Sequence, residues 1–162
     1  MTNEQPSSLV HRAGALFRSN PGLAAQCRRE DPMRPGTGIW KTLALLDHID
    51  SRSDKDHRSH TTLVVAVAIL GDLHMSSQSV GTALRKADVS EQRLNRLLLA
   101  DDDALYPVVL QLTRTLRAKN TPVDLVQFEH LLTARTDEFA ENTRRHIAAD
   151  YFKAERSKSS SP

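Results

Sequence analysis

The apolar residues of this 162-residue chain recur at helical spacing along almost its whole length, and they show no clear strand-like alternation. The clearest stripe is Leu105, Val109, Leu112 and Leu116, at positions i, i+4, i+7 and i+11. Such a stripe is one face of an α-helix that packs against a core. Aromatic residues make up only 4% of the chain, so the core must consist of Leu, Val and Ala, which suits helix packing. We therefore predict an all-α fold.

Strand and helix compete in the segment Leu63–Leu73. Its Val and Ile residues favour a strand, but the chain offers no second strand to pair with it. Because an isolated strand is not stable, we predict a fully buried central helix here. The preceding segment, Asp50–Asp56, is charged and lacks apolar residues, and we predict a mobile loop.

Proline and capping residues predict where other helices begin. Ser90 is placed to cap a helix over residues 91–99, and the aspartates 101–103 cap the next helix and complement its dipole. We predict Pro107 in the first turn of that helix and Pro122 at the first position of the following one. The remaining predicted helices cover residues 8–18, 23–29, 39–49, 79–86 and 137–153.

A turn-rich break between Met75 and Ser90 separates two halves that each show helical periodicity. We predict two small helical-bundle lobes, an N-terminal lobe over residues 1–78 and a C-terminal lobe over residues 79–156. The polar residues 157–162 are predicted to form a disordered tail.

Several classes of protein do not fit this sequence. The one cysteine, Cys27, excludes an internal disulfide, and we predict that it is a small buried residue. The first residues lack the basic and apolar segments of a signal peptide. The longest apolar run, Leu63–Leu70, is much shorter than the roughly 20 residues that cross a bilayer. We therefore expect a soluble, cytoplasmic protein with no membrane partner.

Signatures of catalysis are also absent from the sequence. It has no glycine-rich phosphate loop, no nucleophile elbow and no HExxH pattern. His57 and His60 have ligand-like spacing, but a zinc site normally needs three or four protein ligands. The adjacent aspartates 101–103 point in different directions from a turn, so a helix cap explains them better than a magnesium site. We predict no enzymatic activity, no metal and no cofactor.

Basic residues recur in pairs at helical spacing. Arg93 and Arg96 lie at i and i+3, and Arg114 and Arg117 repeat that arrangement. No acidic residue stands one turn before either pair, unlike in a helix surface stabilised by salt bridges. Arginine binds phosphate oxygens through two parallel hydrogen bonds, so unpaired arginines predict a face that binds a nucleic-acid backbone. The predicted binding residues are Arg28, Arg29, Arg58, Arg85, Lys86, Arg93, Arg96, Arg114, Arg117, Lys119, Arg144 and Arg145.

Three runs in the second half of the chain resemble a known family. They are Ser79–Leu84 (SVGTAL), Ser90–Asp101 (SEQRLNRLLLAD) and Leu110–Leu116 with its arginine. In this order and spacing they are similar to the CasB family, the small subunit of the type I-E CRISPR surveillance complex Cascade. The resemblance extends from Ser79 to Tyr151. Near the N-terminus, Ala25–Arg29 (AQCRR) is similar to another part of the family pattern.

The resemblance implies two helical lobes, no catalysis, and pairing with a second copy along the inner face of Cascade. It also implies contact with the crRNA ribonucleoprotein, the backbone subunit CasC and the large subunit CasA. The family uses its basic surface to hold target DNA and the displaced strand of the R-loop. The basic positions of the family match Arg28, Arg29, Arg93 and Arg114. Leu99 and Asp103 depart from the pattern, because basic residues are expected at both positions.

Two other functions remain open on the sequence alone. Residues 80–98 could form the helix-turn-helix motif of a transcription regulator, with Gln92, Arg93 and Arg96 reaching base edges. That reading requires sequence-specific duplex binding, whereas the CasB reading requires little sequence preference. A helical adaptor that binds only protein is the third possibility, and it would bind no nucleic acid.

Overall fold

The computed structural model describes residues 8–51, 53–75 and 78–159. In these residues the secondary structure is nine α-helices and one short 3-10 helix over Gly71–Leu73, with no strand. The all-α prediction is confirmed. The helices are α1 (Leu9–Ser19), α2 (Pro21–Arg28), α3 (Thr37–Leu45), α4 (Asp54–Leu70), α5 (Val80–Lys86), α6 (Glu91–Leu99), α7 (Asp102–Ala118), α8 (Val126–Thr133) and α9 (Asp137–Ser159).

Polar side chains cap the N-termini of six of these helices. In each, an oxygen of the capping side chain accepts a hydrogen bond from a backbone N–H in the first turn, which otherwise has no partner. The predicted cap at Ser90 is confirmed, since its hydroxyl accepts from the N–H of Arg93 at 3.2 Å. The six capping residues are Ser8, Asn20, Ser53, Ser79, Ser90 and Thr136.

Helix α4 lies at the centre of the molecule. Every residue from Thr61 to Leu70 is buried, because α1, α2, α3, α7 and α8 all pack against this helix. The predicted buried central helix is therefore confirmed. The helix starts nine residues earlier than expected, at Asp54, because Ser53 caps it and polar residues form its first turns. Part of the predicted loop 50–56 is thus helical.

Helices α5 and α9 form the second close packing in the molecule. Gly81 of α5 lies directly against the backbone of α9, and Tyr151 of α9 donates a hydrogen bond to the carbonyl of Val89 at 2.6 Å. Helix α4, from the first half of the chain, packs along α7 and α8 of the second half. The division into two lobes at residues 78 and 79 remains a prediction.

The structure corrects the expected position of Pro107. Helix α7 begins at Asp102, so Pro107 is its sixth residue and lies in the second turn rather than the first. A proline there removes one backbone hydrogen bond inside the helix. The helix opens irregularly, since Asp102 has a φ of 41° and the side chain of Asp101 makes no capping hydrogen bond.

The expected helix start at Pro122 is also wrong, because α8 begins at Val126. Val123 instead forms a short parallel bridge with His74. Its N–H donates to the carbonyl of Leu73 at 3.0 Å, and its carbonyl accepts from the N–H of Met75 at 3.1 Å. A pairing between residues this far apart in the chain leaves no local sequence signal.

Helix α9 extends beyond the predicted end at Lys153 and reaches Ser159. Residues 157–159, which the sequence analysis assigned to a disordered tail, are therefore helical. Residues 160–162 lie outside the described part of the chain.

Candidate nucleic-acid interface

Two of the predicted arginines meet at the C-terminal end of α4. Arg28 of α2 donates its Nε–H to the carbonyl of Ala68 at 3.0 Å, and Arg117 of α7 donates from Nη1 to the carbonyl of Leu70 at 3.1 Å. Helix α4 has no basic residue in its own last turn, so these side chains stabilise its C-terminal carbonyls and the negative end of its dipole. A guanidinium has five N–H donors, so both exposed arginines keep further donors for a ligand.

A cavity of about 210 Å³ lies between these two arginines. A third arginine, Arg18 from the last turn of α1, also lines it, beside the apolar side chains of Phe17 and Ala24. The sequence analysis missed Arg18. Its residue type and its place at a helix end gave a signal, but its nearness to Arg117 depends on how α1 and α7 both pack on α4.

A second, larger cavity of about 530 Å³ adjoins the first at Arg28. Arg29 and Arg114 line it, and both are exposed. Neither side chain makes a hydrogen bond or ion pair with another residue in the described part of the chain. We call the two cavities together the basic groove, lined by Arg18, Arg28, Arg29, Arg114 and Arg117.

Arg93 contacts α7 at the far edge of its exposed face from Arg114. Its Nη2 donates to the hydroxyl of Thr115 at 2.7 Å, which fixes the half-buried side chain between α6 and α7. Successive residues of an α-helix are about 100° apart around its axis, so Thr115, which Arg93 contacts, lies about 100° from Arg114. The exposed residues Gln111 and Ala118 lie between Arg114 and Thr115 on the surface of α7. Arg93 therefore borders the surface that continues from the basic groove.

Arg58 lies at the edge of the groove. Its Nη1 and the carboxylate of Asp103, a residue that lines the larger cavity, form an ion pair at 2.9 Å. Arg58 therefore offsets the negative charge of Asp103 at this edge. The pair is well exposed, so its own contribution to stability is small.

Three further predicted arginines lie on α5 and α9. Arg85 is in α5, and its guanidinium lies 6.0 Å from the ring centroid of Tyr151 in α9. Arg144 and Arg145 belong to α9 itself. Arg144 donates to the carbonyl of Ala100 at 3.1 Å, and Arg145 approaches Glu141 of the same helix at 3.8 Å. None of the three lines the basic groove. The contacts of Arg85 and Arg144 connect α5 and the end of α6 to α9.

The other predicted basic residues are exposed and line neither cavity of the groove. Lys86 donates from Nζ to the side-chain oxygen of Gln78 at 2.6 Å. The side chains of Arg96 and Lys119 make no hydrogen bond or ion pair with another described residue. Arg96 lies on the same helix as Arg93, one turn further on.

Among residues 8–51, 53–75 and 78–159, no group of three or more His, Cys, Asp or Glu side chains is arranged to hold a metal ion. None of the helices over those residues is both long enough and apolar enough to cross a bilayer.

Comparison with known proteins gives an independent assignment. No curated protein sequence matches the chain. The fold matches a chain in the crystal structure of E. coli Cascade bound to a PAM-containing dsDNA target, with a TM-score of 0.65 and 19% sequence identity. The match covers 96% of this chain and 99% of that one. The family described as CRISPR-associated protein Cse2 matches residues 23–152. This chain therefore belongs to the Cse2 family, also called CasB, which confirms the resemblance read from the sequence.

Proposed function

We propose that the chain is the non-catalytic small subunit of a type I-E Cascade complex in CRISPR defence. In this role it holds crRNA-guided target DNA and the displaced strand of the R-loop along the basic groove. Membership of the Cse2 family supports the assignment, and so does a fold that matches a Cascade chain over nearly its whole length.

The observation that carries the proposal is the convergence of arginines in the groove. Arg18, Arg28 and Arg29 come from the first helices of the chain, and Arg114 and Arg117 come from α7. Arg29 and Arg114 have no partner among the described residues, so their donors remain available. A set of arginines brought together from distant segments suits a phosphate backbone, because each contact releases counterions and needs no particular base.

The partners of this subunit are the crRNA ribonucleoprotein, CasC, CasA and a second copy of the chain. Large apolar side chains exposed away from the groove support contacts with other proteins. Leu99 is 74% exposed, and Phe139 and Phe152 of α9 are 45% and 43% exposed. Burial of such side chains contributes about 25 cal/mol for each Å² of apolar surface removed from water. Leu99 replaces a basic residue of the family pattern, so this position suits a protein contact better than a phosphate.

A salt titration of DNA binding tests the proposal. The variant is the double substitution Arg29→Ala and Arg114→Ala, chosen because these side chains support no other part of the fold. If each arginine contacts one phosphate, the slope of log K against log salt should flatten by about 2, equally on unrelated sequences. The matched control is Arg135→Ala, another exposed arginine, which lines other cavities and should leave the slope unchanged.

The assay should use single- and double-stranded DNA, with the protein alone and in reconstituted Cascade. An unchanged slope in the double variant under both conditions refutes binding through the groove. A helix-turn-helix regulator would instead lose discrimination between a preferred site and random duplex in Arg93→Ala or Arg96→Ala. An adaptor that binds only protein would show no binding to nucleic acid with any variant.

A further inference from the structure

We propose that the larger cavity of the basic groove receives one unstacked nucleobase of the bound strand, while the adjoining phosphate lies on Arg29 and Arg114. This inference rests on the proposed function and adds a subsite to it. The cavity volume of about 530 Å³ falls within the range of roughly 300–1,000 Å³ that is typical of small-ligand sites.

The first observation is a buried hydroxyl without a partner. Thr62 of α4 lines the cavity, is 0% exposed, and its Oγ1 makes no hydrogen bond in the structure. In other buried helical threonines, the hydroxyl donates to a backbone carbonyl one turn earlier in the same helix. The hydroxyl of Thr42 donates to the carbonyl of Gly38 at 2.8 Å, and that of Thr113 donates to Val109 at 2.7 Å.

A buried polar group without a partner is unfavourable, so its presence needs an explanation. The hydroxyl neighbours of Thr62 on α4 do not share the defect. The hydroxyl of Ser59 donates to the backbone carbonyl of Leu132, and that of Thr61 donates to the backbone carbonyl of Arg58. Only the hydroxyl beside the cavity is left without a partner among these three. Thr62 Oγ1 is itself inaccessible to solvent, so a polar atom of a ligand in the cavity would complete its hydrogen bonding once the cavity wall that covers it moves aside.

The second observation is the apolar character of the cavity walls. Pro107 and Leu110 of α7 form one side, with the largely buried ring of Tyr106. Met33, which is 55% exposed, also lines the cavity. Methionine is flexible and polarisable and packs well against aromatic rings. A flat, apolar ring with polar edges matches these walls.

The third observation is the charge balance inside the cavity. Three arginines line it, Arg28, Arg29 and Arg114, and three acids do so as well. Each acid has a partner. Glu30 accepts the N–H groups of Gly38 and Ile39, Asp31 accepts that of Met33, and Asp103 is paired with Arg58.

The acids therefore do not pair with Arg29 or Arg114. Their negative charge makes the interior of the cavity unfavourable for a phosphate but not for a neutral base. The base would occupy the interior, and its phosphate would lie at the two exposed arginines. Stacking or burial of one base contributes about 1–3 kcal/mol in proteins that bind single strands.

Two short DNA ligands test this arrangement on the full-length protein. One is an oligothymidylate, and the other is a strand of the same length in which every site is abasic. The parent should bind the oligothymidylate about tenfold more tightly. Thr62→Val, which keeps the shape and removes the hydroxyl, should lower affinity for the oligothymidylate about fivefold and leave the abasic strand unaffected.

Thr61→Val is the matched control, because its hydroxyl lies one residue away on the same buried helix and does not line the cavity. Met33→Ala should also reduce the preference for the strand with bases. The salt slope should stay at the parent value in Thr62→Val, since no phosphate contact is lost. The subsite is refuted if the parent binds both strands equally, or if Thr62→Val and Thr61→Val behave alike.

The outcome also separates this inference from the proposed function. A flattened slope in Arg29→Ala/Arg114→Ala with no effect of Thr62→Val would keep the basic groove and overturn the base subsite. If no variant flattens the salt slope and none reduces the preference for the strand with bases, both the basic groove and the base subsite are refuted.

Discussion

Replacing Gly81 by alanine tests how closely α5 and α9 pack. A Cβ atom at Gly81 would collide with the carbonyl oxygen of Ile147, and it would lie 2.9 Å from both the Cβ of Asp150 and the backbone N of Tyr151. Contacts shorter than 3.0 Å are not tolerated, so one helix has to move. The closest of these atoms belongs to helix backbone, which cannot turn aside as a side chain can.

The expected loss of stability follows from two opposing effects. Alanine stabilises a helix interior relative to glycine by about 1 kcal/mol. Overpacking of a tight interface costs about 1–3 kcal/mol, and a collision with backbone lies at the upper end of that range. We therefore expect Gly81→Ala to lower the free energy of unfolding by about 2 kcal/mol. For a chain of this size, that corresponds to a melting temperature lower by roughly 4–8 °C.

Thermal and urea denaturation followed by circular dichroism will measure the effect. The control is Gly22→Ala in α2, because a Cβ there meets only Asn20 Oδ1 at 3.8 Å, an ordinary contact. That substitution should be neutral or slightly stabilising. If Gly81→Ala melts at the same temperature as the parent or above it, α5 and α9 are not packed as closely as described.

Three further predictions concern the core and its polar groups. Leu112→Ala should lower the free energy of unfolding by about 2–5 kcal/mol, because Leu112 is 2% exposed. Leu99→Ala, at a position that is 74% exposed, should change it little. Equal melting temperatures for the two variants would mean that the helical register is wrong. Thr62→Val should raise the stability of the unbound protein by about 1 kcal/mol, since it removes a buried hydroxyl without a partner, and Thr113→Val should give no such gain in the same melts. Burial lowers the pKa of His74 to about 4, below its usual 6.5, so the unfolded chain binds more protons between these values and stability falls as the pH falls through this window. Between pH 7.5 and pH 5 this amounts to about 2 kcal/mol, and urea titrations of His74→Gln should show a smaller loss; an equal loss in parent and variant would refute it.

The local features of this fold could be predicted from the sequence. Ser90 caps α6 as its position indicates, and the stripe from Leu105 to Leu116 is buried as its spacing requires. The apolar segment that ends at Leu70 could be predicted as a helix, because the sequence offers no partner strand for it, and it is a helix in the structure. These properties depend on residues a few positions apart, so a local pattern is sufficient to predict them.

The candidate site could be predicted only as a set of residue types. The sequence indicated Arg28, Arg29, Arg114 and Arg117, which the structure brings into one groove, and it missed Arg18. It gave equal weight to Arg85, which lies against Tyr151 of α9, and to Arg144 of α9, which bonds to the carbonyl of Ala100 at the end of α6. An exposed arginine and one that crosses between helices look alike in a helical pattern.

The sequence by itself determined that the chain is helical, where most helices begin and end, and which face of each turns inward. Only the tertiary structure decided which arginines meet, why Gly81 cannot carry a side chain, and why residues 121–124 pair with 73–75 instead of starting a helix. Helical periodicity is set by contacts within a few turns. The distance between α2 and α7 is set by how both pack on α4, and that depends on side chains from the whole chain at once.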